Sequence, residues 1–406
     1  MSMNDHYIKQ ECRLCRSKEI KTVLPLNESP LCDAYLKVKK EQKFYPLNLQ
    51  QCNDCGFAQI NCVVDPEIIY RDYIYVTTSS SGLKNHFQSY AKDVFSYTEP
   101  ASQNLVVDIG SNDGTLLDFF QKKDCRTLGI EPSINTAKDA TERGIETLPE
   151  FFSFELSHQL VERYGNADLI TINNLFANID DLHDFTKGLE YLLSENGVLV
   201  IESSYLLDMV NNMVFDFIYH EHLSYFSIIP LVKFFKQFGM KLIRVEHVET
   251  KGGSLRYYWA KESSNRPVDV SVAQAIEAEE KANINEGFFK QFESRIDQIK
   301  KELTDILETH KDQKIVGYGA SATSTTLISH FGLDRYFSTL IDDNPGKIGT
   351  FSPGFHIPVK ISDSLYESPP DVLIILAWRF HQEIYRKISD LNCKVIVPLP
   401  ELTILS

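Results

Sequence analysis

Short apolar runs alternate with polar, helix-forming stretches through the middle of the chain. Residues 105–114 form an apolar run that leads into a turn with two glycines, and residues 115–121 have a helical pattern. Residues 128–132 form a second apolar run that ends in an acid, and further runs follow at residues 167–174 and 197–202. Because strands that alternate with helices form parallel sheets, this pattern predicts a doubly wound α/β domain.

The same alternation returns near the C-terminus, where it predicts a second, Rossmann-like domain. Strands are predicted within residues 314–322, 340–344, 371–378 and 393–398. Between the two domains, residues 270–310 are charged and carry apolar residues at helical spacing, which predicts one long bridging helix. The predicted core stripe of this helix is Phe288, Phe289, Phe292, Ile296, Ile299 and Leu303.

Composition and charge narrow the class of protein. The chain has 406 residues, 43% of them hydrophobic, which is enough for two or three cores. A formal net charge of −15 disfavours binding to nucleic acid or to anionic membranes. No apolar run reaches the roughly 18–20 residues that span a bilayer. The N-terminus lacks a signal pattern, so we expect a cytoplasmic protein with reduced thiols.

Four of the eight cysteines form two C-x2-C pairs, Cys12 with Cys15 and Cys52 with Cys55. Four thiolates complete the tetrahedral shell of Zn²⁺ and leave no open position, so the spacing predicts a structural zinc site. The 36 residues between the pairs are expected to hold a small strand or loop insertion. The remaining cysteines have no partner at ligand spacing and are interpreted as ordinary thiols: Cys32, Cys62, Cys125 and Cys393.

The first turn of the middle domain has the pattern D-x-G-x-x-x-G, from Asp108 through Gly110 to Gly114. Glu131 follows 17 residues later, at the end of the next strand, where a carboxylate can accept hydrogen bonds from two ribose hydroxyls. This spacing favours S-adenosylmethionine (SAM) over a pyrophosphate dinucleotide. Asn173 and Asn174 end a later strand, at the sheet edge where ligands bind.

Residues 219–227 concentrate ionisable and hydroxylated side chains between the two α/β domains. Tyr219, His220, Glu221, His222 and Tyr225 lie within seven positions. A histidine beside a carboxylate and a phenol is suited to proton transfer. The alternative is an aromatic loop with one surface histidine and one core histidine.

Two other segments each allow two interpretations, and a third indicates a nucleotide cofactor. The tyrosines and hydroxyl residues over 70–82, including Tyr73 and Tyr75, are a helix N-cap or a polar ligand pocket. Gly252, Gly253 and Ser254 with Arg256 are a bare turn or an anion cradle. The G-x-G-x-x-A turn at residues 317–322, with acids at 342 and 343, would by itself suggest NAD.

Taken together, these motifs resemble the C-methyltransferases that act on nucleotide-linked 4-keto-6-deoxy sugars. The cysteine pairs resemble the family's zinc-binding domain, and Asp108 to Gly114 with Glu131 resembles its SAM site. Residues 219–222 resemble the catalytic tyrosine–glutamate–histidine signature, and residues 252–256 resemble a second signature. One departure is Asn178, which stands where the family often has a histidine.

The resemblance implies a reaction and its residues. SAM would donate a methyl group to a ring carbon beside the ketone of a dTDP- or GDP-linked sugar, with C-3 the expected position, and zinc would be structural. His222 would be the base, helped by Glu221 and Tyr219. The implied SAM residues are Asp108, Gly110, Asn112, Gly114, Glu131, Asn173 and Asn174. The implied substrate residues are Tyr73, Tyr75, Asn178, Arg256, Tyr318, Ala320, Ser321, Asp343 and Lys347.

The expected domains are a zinc-binding domain at 1–70, a methyltransferase domain at 71–265, a bridging helical segment at 266–310 and a Rossmann-like domain at 311–406. A monomer is favoured, with no nucleic-acid or membrane partner. The alternatives are a SAM-dependent enzyme with another small acceptor, a non-catalytic nucleotide-sugar-binding protein or scaffold, and an NAD-linked oxidoreductase.

Overall fold

The computed structural model of the protein describes residues 5–70 and 81–405. The strands of these residues are β1 (His6–Ile8), β2 (Ile20–Ser29), β3 (Tyr45–Cys52), β4 (Ala58–Ile60), β5 (Cys62–Val64), β6 (Leu105–Ile109), β7 (Arg126–Ile130), β8 (Thr147–Leu148), β9 (Ala167–Asn173), β10 (Leu193–Ser204), β11 (Ser224–Tyr225), β12 (Met240–Val248), β13 (Ser254–Lys261), β14 (Ile315–Tyr318), β15 (Phe337–Ile341), β16 (Val359–Lys360), β17 (Val372–Ile375), β18 (Lys394–Val397) and β19 (Thr403–Leu405). The helices are α1 (Pro66–Tyr70), α2 (Ser81–Thr98), α3 (Thr115–Gln121), α4 (Ile134–Glu142), α5 (Phe154–Tyr164), α6 (Leu182–Leu192), α7 (Leu206–Asn211), α8 (Ile228–Lys236), α9 (Val270–Ala282), α10 (Glu286–Thr309), α11 (Ala322–Phe331), α12 (Ser364–Glu367) and α13 (His381–Ile388).

The central sheet has seven strands in the order β12-β13-β10-β9-β6-β7-β8. Strands β10, β9, β6, β7 and β8 are parallel, and β13 runs antiparallel between β10 and β12. All five residues of β6 are buried, as expected of a parallel strand that is covered on both faces. The predicted doubly wound α/β domain is therefore confirmed.

The C-terminal sheet has six strands in the order β16-β15-β14-β17-β18-β19, with β19 antiparallel at one edge. Strands β14, β15, β17 and β18 are parallel, so the predicted Rossmann-like architecture is also present. Helix α11 begins directly after the glycine turn that follows β14.

The N-terminal sheet combines residues that are far apart in sequence. Strands β2, β3 and β4 form an antiparallel sheet, and β11, from residues 224–225, pairs with the free edge of β4. The strand insertion predicted between the two cysteine pairs is thus β2 with most of β3.

The single long helix predicted over residues 270–310 is wrong, because the structure has two helices there. Asn283 ends α9 in the left-handed region, at φ +49°, and the Asn285 side chain accepts a hydrogen bond from Phe288 N (3.2 Å) at the start of α10. Asparagine tolerates the left-handed region and caps helices well, so these two residues favour a break. The apolar stripe lies on α10, where Phe289, Phe292 and Leu303 are fully buried.

The largest hydrophobic core joins the N-terminal sheet, residues 206–225, helix α10 and the C-terminal sheet. Two further cores cover the opposite faces of the central sheet. Each buried phenylalanine or leucine contributes about 1.5–3 kcal/mol of burial free energy, so the shared core holds these units together. Among the described residues, every helix is too short or too polar to cross a bilayer.

The contact between the C-terminal sheet and residues 215–217 includes one buried polar hydrogen bond that can be tested. Trp378 Nε1 donates to Asp216 Oδ2 (2.9 Å), and Asp216 is fully buried. We predict that a double-mutant cycle of Trp378→Phe and Asp216→Ala gives a coupling energy of about 1.5–3 kcal/mol in urea unfolding.

The matched control cycle pairs Trp259→Phe with Asp216→Ala. Trp259 belongs to a different core, and its Nε1 has no partner among the described residues. The control should be additive to within about 0.5 kcal/mol. Equal coupling in both cycles would contradict a specific Trp378–Asp216 interaction.

Candidate active site

The segment around Tyr219 lies where the three sheets meet. Strand β11 pairs with β4 through Ser224 opposite Gln59 and Tyr225 opposite Ala58. The carbonyl oxygen of Leu223 also accepts hydrogen bonds from Ile60 N (3.1 Å) and from the buried Arg13 guanidinium (3.3 Å). The N-terminal sheet therefore fixes the segment on its C-terminal side.

The C-terminal domain fixes the same segment on its N-terminal side. Thr326 on α11 donates to the carbonyl oxygen of Ile218 (3.0 Å). The Arg379 guanidinium lies 4.4 Å from the centre of the Phe217 ring and forms an ion pair with Asp216 (3.3 Å). Two domains that are distant in sequence thus hold residues 216–225 in one conformation.

Tyr219 and His222 form a directly hydrogen-bonded pair, with 3.2 Å between Tyr219 Oη and His222 Nε2. His222 Nδ1 lies 3.2 Å from the carbonyl oxygen of Phe217. A carbonyl only accepts hydrogen bonds, so Nδ1 carries the proton and Nε2 presents its lone pair. Burial and the nearby Lys251 ammonium lower the pKa of His222 to about 3, so the imidazole is neutral at physiological pH.

Glu221 precedes His222 in the chain, and its pKa is raised whereas the pKa of His222 is lowered. Burial and the like charge of Asp33 raise the pKa of Glu221 to about 7, although the Lys251 and Lys347 ammonium groups oppose the shift. The carboxyl group therefore titrates near neutral pH.

His220, unlike His222, contacts the N-terminal sheet. Its Nε2 lies 3.1 Å from the carbonyl oxygen of Pro46, and its ring packs edge-on to Tyr45. His220 connects the segment to the N-terminal sheet.

The SAM residues predicted on β6 and β7 form a compact cradle. Gly110 has φ +77°, and a Cβ there would approach Leu175 Cδ2 to 2.9 Å, so only glycine fits. Glu131 Oε2 accepts from Asn112 N (3.0 Å) and Oε1 accepts from Ser133 N (2.9 Å). Each oxygen keeps a further lone pair, so the carboxylate can still accept from the ribose hydroxyls of SAM.

Three further predicted SAM residues lie at the ends of β6 and β9. Asp108 accepts from Thr171 Oγ1 (2.6 Å), and burial together with the Glu131 charge raises the pKa of Asp108 to about 7. Asn173 Oδ1 is buried without a partner in the described part of the chain, which leaves an acceptor for a ligand. Asn174 adopts φ +56° and donates its backbone N–H to Glu202 O (2.9 Å). These residues fit SAM.

Two predicted substrate residues of the methyltransferase domain lie beside charged groups of the protein. Arg256 is 3% exposed and binds Glu202 Oε2 through Nε (3.0 Å), while its guanidinium also packs over the Tyr90 ring. It is therefore held by protein groups. Asn178 lies in the 3-10 helix Phe176–Asn178, two residues before Asp180, which accepts from Arg13 Nε (2.9 Å). Both substrate assignments stay predictions.

The predicted residues of the C-terminal domain gather at the turn after β14. Tyr318 Oη donates to Asp343 (2.9 Å), and Ser321 caps α11 by accepting from Ser324 N (3.2 Å). Lys347 Nζ donates to Ala320 O (2.8 Å) and pairs with Asp33 of the N-terminal domain (3.0 Å). Lys347 and Asp33 both act on the pKa of Glu221, so this turn is within electrostatic range of the Tyr219 segment.

The four predicted zinc ligands come together, with Cys12, Cys15, Cys52 and Cys55 Sγ atoms all within 4.8 Å of one another. The pairs Cys12–Cys55 and Cys15–Cys52 are separated by 3.6 Å and 3.5 Å. A tetrahedron with Zn–S bonds of 2.3 Å has edges of about 3.8 Å, so the cluster fits Zn²⁺.

The other two predicted substrate residues, Tyr73 and Tyr75, lie outside the described residues.

Three residues near the site were not singled out from the sequence: Lys251, Asp33 and His86. His86 Nε2 lies 2.7 Å from Glu202 Oε1 and so extends the Arg256–Glu202 pair. The only sequence signal for Lys251 is its place before the two glycines of the second signature. Asp33 and His86 carry no sequence signal, since their partners are more than a hundred positions away.

The zinc cluster gives a direct prediction. Cys12→Ser removes one thiolate of a four-thiolate shell, so we expect the zinc content to fall from about one ion per chain to near zero. Cys62→Ser is the control, because Cys62 is fully buried in the same domain but outside the cluster. Plasma mass spectrometry measures both, and full zinc content in Cys12→Ser would contradict the assignment.

Comparison with known proteins agrees with this organisation. Three family models match consecutive parts of the chain: "Putative zinc binding domain" at residues 12–70, "Methyltransferase domain" at 85–245 and "C-methyltransferase C-terminal domain" at 249–400. The C-methyltransferase NovU of Streptomyces niveus is 27% identical over 406 residues, covering 98% of this chain and 97% of that protein.

Two of the solved structures that are similar to the chain each cover about half of it. The SAM-bound magnesium protoporphyrin IX methyltransferase of Synechocystis is 12% identical, with 48% of this chain and 88% of that chain covered and a TM-score of 0.35. The PH0226 protein of Pyrococcus horikoshii is 11% identical, with 48% and 98% covered and a TM-score of 0.39. The three family models and the full-length relative carry the assignment: the chain is a SAM-dependent C-methyltransferase related to NovU, with zinc-binding, methyltransferase and C-terminal domains.

Proposed function

We propose that the protein transfers a methyl group from SAM to a ring carbon next to the ketone of a nucleotide-diphosphate 4-keto-6-deoxy sugar, with C-3 as the acceptor carbon. The observation that carries the proposal is the Tyr219–His222 pair, in a segment held between the N-terminal sheet and α11 of the C-terminal domain. Carbon methylation needs a base, a stabilised enolate and an aligned methyl donor, and this arrangement offers a place for each.

His222 is the proposed base. The ketone makes the neighbouring C–H bond acidic, and the unprotonated Nε2 of His222 can take the proton. The Phe217 carbonyl fixes the tautomer and the ring orientation through Nδ1. Bound SAM supplies an electrophilic methyl group, which the cradle of Gly110 and Glu131 would hold.

Tyr219 is the proposed donor to the developing enolate oxygen. Its hydroxyl engages His222 Nε2 in the structure, so substrate binding would move this hydrogen bond from the imidazole to the ketone oxygen. That exchange would free the Nε2 lone pair and place a donor on the oxygen that gains charge. Tyr73 and Tyr75, outside the described residues, are proposed as further donors. Glu221 is proposed to orient His222 or to hold a sugar hydroxyl.

The C-terminal domain is proposed to bind the nucleotide end of the substrate, dTDP or GDP. The N-terminus of α11, after the turn at Ala320 and Ser321, favours an anion such as a diphosphate. Asp343 and Lys347 lie beside this helix terminus, near enough for contacts with phosphate or nucleoside. Asn178 and Arg256 remain proposed substrate residues on the methyltransferase side.

The test is to incubate the protein and SAM with dTDP- and GDP-linked 4-keto-6-deoxy sugars and score the gain of one methyl group by mass spectrometry. We expect His222→Asn to lower turnover by about 10²- to 10⁴-fold, the usual contribution of a general base. SAM affinity should be unchanged, and His310→Asn, at a half-buried position just after α10, should have wild-type activity. Normal turnover in folded, SAM-binding His222→Asn would contradict the role, and no methyl gain across the panel would point to another acceptor.

The raised pKa of Glu221 predicts a pH dependence. If the ionised carboxylate is the working form, kcat/KM falls as the pH drops through about 7, where Glu221 gains its proton. His222 cannot cause this loss, because its pKa of about 3 keeps it neutral there. We therefore expect Glu221→Gln to be slower and to lose the pH 7 limb. A pH–rate profile in which Glu221→Gln keeps that limb would contradict the assignment.

A further inference from the structure

Lys251 occupies a constrained turn between β12 and β13. It lies in the 3-10 helix Thr250–Gly252 at φ +56°, a region that costs residues with a side chain on the order of 1 kcal/mol. The turn is fixed by its neighbours, since Gly252 O accepts from Asn212 Nδ2 (2.9 Å) and Gly253 O accepts from Tyr205 N (3.2 Å). The surrounding structure therefore maintains an unfavourable backbone at this lysine, which often marks a functional position.

The turn lies between the methyltransferase sheet and the Tyr219 segment. Tyr205 directly follows β10. Near its end, β10 pairs with β9, with Glu202 opposite Asn173. On the other side, a Cβ on Gly252 would lie 2.7 Å from Val214 Cγ2, and Val214 leads into residues 215–222. Lys251 thus stands at the junction of the SAM-binding edge and the proposed base.

The charged groups that face Lys251 come from three elements. Glu202 lies on β10, Glu221 and His222 lie in the Tyr219 segment, and Arg379 comes from the C-terminal domain. Burial lowers the pKa of Lys251 to about 8, the two carboxylates oppose this shift, and Arg379 adds to it. The ammonium remains protonated at neutral pH.

Within residues 5–70 and 81–405, the Lys251 ammonium has no hydrogen bond and no carboxylate within 4.0 Å. An ammonium carries three donors, and Lys251 is only half-buried, so these donors are open to an acceptor that enters the site. Three other cations near the site, Arg256, Lys347 and Arg379, all contact protein oxygens. The Lys251 ammonium is therefore available to donate to a bound ligand.

We propose that Lys251 is a catalytic residue whose ammonium donates a hydrogen bond to the ketone oxygen of the methyl acceptor. This inference rests on the proposed function. As the C–H bond breaks and its proton moves to His222 Nε2, the electron pair spreads onto the ketone oxygen. Lys251 stabilises that oxygen as a second donor beside Tyr219 and keeps its own proton. The ketone would re-form as the carbon bonds to the methyl group that SAM supplies, and the methyl–sulfur bond would break with its electron pair left on the sulfur.

The experiment compares Lys251→Met, Lys251→Arg and the control Lys233→Met, an exposed lysine on α8. Two rates are measured with a 4-keto sugar: exchange of its α-proton with D₂O without SAM, and methyl transfer with SAM. We expect Lys251→Met to lower both rates in parallel by about a hundredfold or more, the usual effect of removing an oxyanion donor. SAM affinity and KM should change little, and Lys251→Arg should restore part of both rates.

The pH dependence separates this role from a structural one. Wild-type exchange should fall as the pH rises through about 8, where the ammonium loses its proton, and Lys251→Met should lack that fall. Unchanged exchange in Lys251→Met, a change in KM alone, or trapping of a lysine–sugar adduct with borohydride would each overturn the proposal. If the wild-type protein neither exchanges nor methylates any sugar in the panel, the proposed function fails and this inference fails with it.

Discussion

The pairing of β11 with β4 is the interaction on which the rest of the site depends. It makes a two-residue strand from the methyltransferase region the edge of the zinc-domain sheet. Arg13, which follows the first zinc ligand, adds a hydrogen bond to Leu223 from the same side. A strand of two residues has too few backbone hydrogen bonds to be stable alone, so its position is set by the sheet that it joins. The zinc cluster, which fixes the two knuckles around this sheet, therefore stabilises the sheet that positions residues 224–225. Its four ligands give it no open position for catalysis.

A second constraint comes from the electrostatics of a site that is largely withdrawn from water. Burial moves the pKa values of Glu221, His222 and Lys251 toward their uncharged forms, while opposite charges limit the shifts. As a result, an imidazole that stays neutral lies near a carboxyl group and an ammonium group that both titrate close to physiological pH. Such a combination is suited to removing a proton from carbon and stabilising the resulting charge. By contrast, Arg256 and Glu202 neutralise each other and stabilise the strands that carry them.

Local patterns were sufficient for much of the fold. The strands at residues 105–109 and 167–173 were predictable because buried parallel strands are continuous apolar runs, and the zinc ligands were predictable because each pair lies in one tight turn. The prediction of a single bridging helix was wrong because Asn283 and Asn285 cap two separate helices. In the sequence, these two caps are a weaker signal than the apolar periodicity around them. The sequence suggested that Arg256 could bind an anion, but in the structure its guanidinium binds Glu202. Glu202 lies 54 positions away and reaches Arg256 only through strand pairing.

The sequence by itself determined the domain types, the zinc cysteines and the form of the SAM turn. Each of these depends on residues that are close together in the chain, where spacing translates directly into geometry. Only the tertiary structure decided that β11 joins the zinc-domain sheet, that His220 is structural whereas His222 faces Tyr219, and that Lys251 stands among Glu202, Glu221 and Arg379. These features depend on contacts between residues tens to hundreds of positions apart. Burial and charge at such contacts are properties of the packed molecule, and no local pattern records them.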